Sequence, residues 1–271
     1  MEWPKLKNII LLLLLLTNLG LLFFVVQQEF QREQQRRQAR TSALTFLAER
    51  GVQTREDQIP REMTLLPQTV ERDLTWEYRA AAALLGEAVQ ADPRGGEVYR
   101  YESPAGAVQF HSDGAFSAEF APGALPLGED WEKSCRAYLA DMEFQGQLLE
   151  REGDRFTFRQ LWEGVPLFSQ QVTLVCQDGC LVGMAGGRRL AGQPQPDLSR
   201  TPITVPTALF GFLNGLSALG DVCSRIDTVE EGYVAAVSLP GPTVLTPVWH
   251  ITTDTGAYQL DTLTGEVTRV S

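Results

Sequence analysis

The stretch that decides the fold runs from Phe156 to Ala185, FTFRQLWEGVPLFSQQVTLVCQDGCLVGMA. Glu163-Gly164 and Gln177-Asp178-Gly179 divide it into three runs, and both have the composition of turns that join antiparallel strands. Phe156–Trp162, Pro166–Cys176 and Cys180–Ala185 are therefore predicted strands of one meander.

The same grammar recurs on both sides. Upstream, Val98–Tyr101, Ala107–Phe110 and Phe116–Phe120 read as strands, with Ser112-Asp113-Gly114 as a turn. Downstream, strands are predicted near Val222–Val229, Tyr233–Leu239, Val248–Thr252, Ala257–Leu260 and Glu266–Val270. Pro166–Gly179 and Pro247–Gly265 are the most alike, each reading strand, Asp-Gly-type turn, strand. Helical patterns precede each group at Thr69–Gln90, Glu129–Phe144 and Thr207–Leu219. In the first of these, Val70, Leu74, Tyr78, Leu85 and Val89 share a side, and Ala80–Ala83 permits close packing. Antiparallel strands with interspersed helices define an α+β class, with two subdomains meeting at the Gly- and Pro-rich segment Gly186–Pro206.

The N-terminal end follows a different rule. Ile9–Val26 carries no charge, and as a helix it would extend roughly 27 Å against a hydrocarbon core of about 30 Å. It is read as a transmembrane helix. A cleaved signal peptide is the competing reading, but Val25-Val26-Gln27-Gln28-Glu29 offers no small-x-small site. Thr17, Asn18 and Gly20 sit inside this segment as candidate contacts with a partner helix, since a polar side chain can bond across and a glycine permits close approach. The alternative is that Thr17 and Asn18 bond back to their own helix. Gln27–Arg40 has helix formers but almost no apolar face and is read as a stalk, after which Ala43, Leu44, Phe46 and Leu47 lead to a helix end at Gly51. The expected organisation is a cytoplasmic tail 1–8, a span 9–26, a stalk and connection 27–68, a first extracytoplasmic α+β region 69–190 and a C-terminal α+β subdomain 191–271. This places a single-pass protein in the cell membrane with its N-terminus in the cytoplasm.

Chemistry is sparse. The net charge of −11 leaves no basic stripe for phosphates, which argues against nucleic acid as a partner. No P-loop, GxSxG elbow, HExxH or CxxC occurs, so no enzyme activity, cofactor or metal is expected. His111 lies in a turn beside Ser112 and Asp113, where adjacent side chains cannot converge as a triad does, and His250 lies in a strand. Of the four cysteines, Cys176 and Cys180 flank the Gln177-Asp178-Gly179 turn and form the candidate disulfide. Cys135 with Cys223 is a second pairing, and buried free thiols are the alternative.

The opening Met1-Glu2-Trp3-Pro4-Lys5-Leu6-Lys7-Asn8-Ile9-Ile10, continuing into a leucine-rich run that contains Asn18-Leu19, resembles the start of the YycI family. Ala43–Pro60 (ALTFLAERGVQTREDQIP) resembles that family's membrane-proximal helix and its exit. Phe158–Phe168 (FRQLWEGVPLF) and Pro247–Val267 (PVWHITTDTGAYQLDTLTGEV) resemble its hairpins and those of PepSY-like domains. The resemblance implies a membrane-anchored accessory protein of low-GC Gram-positive bacteria. Such a protein binds and modulates a sensor histidine kinase of the YycG/WalK type, often with a YycH-like companion, in the control of cell-wall metabolism. It also implies PepSY-like subdomains and, among the site residues, nominates only the segment holding Thr17, Asn18 and Gly20. A PepSY-like binding or protease-inhibitory module that works without a kinase is the alternative expectation. The cysteines depart from the family pattern.

Overall fold

The computed structural model describes residues 3–86, 90–237 and 241–270, with the backbone alone at 3–11, 25, 26, 29, 32, 33, 36, 90, 91, 93 and 94. Met1 and Glu2 of the expected tail, Val89 of the expected first helix, Ser238 and Leu239 of an expected strand, and Ser271 lie outside the described residues.

The chain opens with one helix, α1 (Trp3–Glu49), in which the expected stalk and the apolar segment after it are continuous. Nothing between Gln27 and Arg50 breaks a helix, since the next glycine is Gly51. There the chain turns left-handed at φ +81°, with Val52 N–H on Leu47 O at 2.9 Å and Gly51 N–H on Ala48 O at 3.0 Å. That pair of bonds is a Schellman stop, and Leu47 and Val52 join the same core as its apolar contact. A single 3₁₀ turn at Glu56–Gln58 follows.

The strands form one extended sheet. β1 (Gln68–Val70) precedes α2 (Leu74–Leu85), and β2 (Gln90–Gly95), β3 (Val98–Ser103), β4 (Gly106–Phe110) and β5 (Ala115–Phe120) come next. After α3 (Trp131–Asp141) come β6 (Gln145–Glu152), β7 (Arg155–Trp162), β8 (Val165–Gln177) and β9 (Cys180–Arg188). Then β10 (Pro194–Pro196) leads to α4 (Val205–Leu219), β11 (Ile226–Val237), β12 (Thr243–Thr253), β13 (Gly256–Asp261) and β14 (Val267–Val270). The strand order is β10-β1-β12-β11-β8-β9-β5-β4-β3-β2, with β7 and β6 branching from β8, and β13 and β14 from β12.

Two features correct the expected fold class. The described residues are mostly β-sheet, and their strands form a single 14-stranded sheet instead of separate meanders. What fuses the two halves is a pairing between segments far apart in sequence, β8 and β11 in parallel at Leu167 and Tyr233. Secondly, among the described residues no helix is long and apolar enough to cross a membrane. The side chains of Ile9–Leu11, Val25 and Val26, which the expected span 9–26 includes, lie outside the described residues. The N-terminal transmembrane helix is accordingly withdrawn.

Helices cover the sheet in two places. In the first region, α2 and α3 lie over β2–β9, and the core holds Phe110, Phe116, Phe144, Phe156, Phe158 and Leu174. Asp73 caps α2 by accepting from Thr75 N–H at 2.8 Å, and Asp130 caps α3 by accepting from Lys133 N–H at 3.0 Å. In the second region, α4 and the last turns of α1 lie over β11–β14, with Leu47, Phe212, Trp249, Ile251 and Tyr258 in the core. Thr204 caps α4, Pro206 occupies its first turn, and Gly220 ends it at φ +73°. Gly215 lets α4 lie close to β14, since a Cβ there would meet Val267 Cγ2 at 2.4 Å. Gly232 does the same where β11 meets β8, where a Cβ would meet the Phe168 ring at 2.4 Å.

Candidate partner-contact site

The three residues singled out as a helix contact lie on the outer length of α1. Thr17 Oγ1 donates to Leu13 O at 2.5 Å and also reaches Leu14 O at 3.2 Å, so its hydroxyl is satisfied within its own helix. This is the local arrangement weighed as the alternative for that side chain. Asn18 and Gly20 are exposed, and the space a Cβ would take at Gly20 is open to 4 Å. Around them Leu13, Leu16, Leu21, Leu22, Phe23 and Phe24 are each at least 60% exposed. A contiguous apolar surface of this kind marks a place where another molecule binds.

The inner end of the same helix is fixed. Ala43 and Leu47 are buried against α4, and the Phe46 ring meets Phe210 edge-on with centroids 4.7 Å apart. The Arg50 guanidinium lies over Phe46 at 4.9 Å. Arg40 donates from Nη2 to Glu56 O at 2.6 Å and Ile59 O at 2.7 Å, so the segment leaving α1 is tied back onto it. Beside Arg40, a cleft of about 530 Å³ opens between α1, Arg61–Met63 and the start of α4 at Pro202–Pro206. Sequence reasoning missed this cleft, because nothing local in Arg61–Met63 or Pro202–Pro206 marks them as neighbours.

The cysteines are arranged differently from both expected pairings. The turn after β8 has two central residues, Asp178 and Gly179, both left-handed at φ +49° and +75°, and it sets Gln177 opposite Cys180. Cys176 therefore pairs with Leu181 on the inner face, while Cys180 falls on the alternate face and is half-buried. A bridge between Cys176 and Cys180 is excluded by that one-residue offset. Cys223 borders the second core and cannot reach Cys135 in the first. Burial, with a smaller effect from Asp254, pushes the Cys223 thiol up to about 11. All four thiols are free, and Cys135 Sγ lies 3.6 Å from Cys176 Sγ.

The histidines are structural in their surroundings. His111 Nε2 is 3.0 Å from Gln109 Nε2, and its backbone N–H donates to Ala115 O at 2.9 Å in the turn. His250 stacks on Phe168 with centroids 5.0 Å apart, and Arg159 lies over the same Phe168 ring at 4.9 Å and pairs with Glu230 at 3.5 Å. Burial first, and Arg159 second, lower the His250 pKa, with Glu230 opposing. Among the described residues no three His, Cys, Asp or Glu side chains are placed to hold a metal ion.

A charged residue that sequence reasoning missed is Arg189, 5% exposed at the end of the first region. Its Nη2 donates to Met142 O at 2.9 Å, its guanidinium lies 5.8 Å from the Phe110 ring, and burial lowers its pKa to about 10. The only local signal is the run Gly186-Gly187-Arg188-Arg189, in which Gly187 leaves room for the Phe116 ring.

No protein-family model matches the chain, and no curated protein matches it. Among solved structures it is similar to an uncharacterized protein from Eubacterium rectale, with 11% identity, a TM-score of 0.43, and coverage of 76% of this chain and 86% of that one. It is also similar to the C-terminal domain of YpeB from Bacillus megaterium, with 15% identity, a TM-score of 0.35, and coverage of 74% of this chain and 99% of that one. Both TM-scores lie below one half, and likeness at that level assigns neither fold nor function.

Proposed function

We propose that this chain is a YycI-like accessory protein that catalyses nothing itself and modulates a sensor histidine kinase of the YycG/WalK type, alongside a YycH-like companion. Its PepSY-like β-rich body faces the extracytoplasmic side, and its contact with the kinase is the exposed apolar length of α1 around Asn18 and Gly20. One observation carries the reading: the apolar residues Leu12–Phe24 are exposed on the same unbroken helix whose inner end, at Ala43 and Leu47, is buried in the body. A partner at Asn18 would be joined to the packing at Leu47 by one continuous helical backbone.

The test is a bacterial two-hybrid assay of the full chain against the histidine kinases of its own organism. A signal with one kinase, lost on Asn18→Leu, supports the proposal. No signal from the full chain counts against it. A deletion strain with unchanged cell-wall gene expression but altered surface proteolysis would point to a kinase-independent module instead.

A further inference from the structure

Two of the four cysteines are brought together by tertiary packing, although they lie 41 positions apart. Cys135 is on the buried face of α3, one turn before Leu139, and Cys176 is the last inward residue of β8. Their sulfurs are 3.6 Å apart, with the two residues 0% and 3% exposed, and no other side chain separates them. Closing that gap by about 1.5 Å reaches the 2.05 Å of an S–S bond. Cys180 and Cys223 have no such neighbour, for the reasons of face and region given above.

We propose that Cys135 and Cys176 are a disulfide-forming pair that, once oxidised, staples α3 to β8 in the first region. The oxidant is a small-molecule disulfide, R–S–S–R. The thiolate of one cysteine attacks it, forming a mixed disulfide and releasing one RS⁻. The second cysteine, as thiolate, then attacks the protein sulfur of that mixed disulfide, forms the intramolecular S–S bond and releases the second RS⁻. The two thiol protons end on two RSH, so two protein thiols are oxidised and one external disulfide is reduced. The hydrogen bond that Cys135 shares with Cys176 and, after it, burial push the Cys135 thiol up, while the same bond draws the Cys176 thiol down, so Cys176 is the more readily ionised of the two. With both residues buried, an external disulfide reaches them while the chain is open or folding, and the finished bond is shielded from reductant.

The experiment uses the full-length chain with Cys180→Ser and Cys223→Ser, both outside the fully buried set, so that the proposed pair alone carries thiols. It is refolded with oxidised and reduced glutathione, then denatured and its free thiols titrated. The expected result is a monomer with no titratable thiol, a mass two hydrogens below the reduced form, and a Tm roughly 10 °C above it. In the natural sequence, treated alike, only Cys180 and Cys223 should take an alkylating label. Two titratable thiols in a refolded variant, or a linked peptide containing Cys180 or Cys223 in the natural sequence, would overturn the proposal. Refolding that succeeds only in reductant would overturn it as well.

Discussion

The two helix-covered regions of this molecule are built alike and closed differently. Each lays helices over an antiparallel meander, but the first closes with elements of its own, α2 and α3, whereas the second is covered partly by α1. In the first, the covering helix α3 meets the sheet through the side chains of Cys135 and Leu139. In the second, Ala43 and Leu47 of α1 share the layer with Ala208, Leu209 and Phe212 of α4. The difference teaches where an external event can enter. The buried end of α1 packs into the second region's core, and the first region joins the second through the β8–β11 pairing and through the shared cluster of Val70, Trp162, Leu167, Leu190, Tyr233 and Leu245.

The sharpest way to break this contrast is to empty each core in turn and follow hydrogen exchange strand by strand. Phe158→Ala removes a fully buried ring from the first core and should cost about 3–5 kcal/mol. Faster exchange should appear first in β6–β9, with α4 keeping its protection. Leu47→Ala should cost about 2–4 kcal/mol and reverse the pattern, loosening α1 and α4 while β7 stays protected. Equal loosening of both regions by either change would show that the sheet opens as one unit.

Gly215→Ala sharpens the comparison on the second side. A methyl there runs into Val267, so α4 must lift from β14, at a cost of about 1–3 kcal/mol read from denaturant melts. The smallest effect lies at the seam. The His250 pKa is lower in the folded chain than the ordinary value of about 6.5, so above that pH the side chain is neutral in both states and its neighbours Phe168, Arg159 and Glu230 are undisturbed. As pH falls below about 6.5 the unfolded chain takes up the proton first, and stability is lost through that window until the folded side chain also protonates. Melts at pH 7 and pH 5 should show the fall, and His250→Gln should flatten its share of it.

The hairpins were legible because their signals are local. Glu163-Gly164 and Asp178-Gly179 each take left-handed φ at both positions, as type I′ turns require, and the residues alone announce it. Gly51 announced a helix end for the same kind of reason. What escaped was everything set by distant pairing. Thr69 and Val70 read as the start of a helix but pair with Gln195 and Pro194 on one side and with Val244 and Thr243 on the other. Asp92-Pro93-Arg94-Gly95 read as a stop but runs as β2 along Arg100 and Tyr99. A three-residue strand has no periodicity to read, and its partners decide it. The cysteine pair is the mixed case. Cys135 one turn from Leu139, and Cys176 in phase with Val172 and Leu174, each point inward by local spacing, but only the packing of α3 on β8 brings them together. Thr17, Asn18 and Gly20 are candidates by their place in an apolar run alone, whereas the cleft beside Arg40 depends on α1 and α4 meeting.

The most direct test of the central claim, that α1 carries the partner contact, is site-specific photo-crosslinking in living cells. A photoreactive residue is placed at position 18 and, in a separate strain, at Leu149, an exposed position on β6. The account predicts an adduct of one histidine kinase's mass from position 18 and none from position 149. An adduct from position 149 with none from position 18 would contradict it.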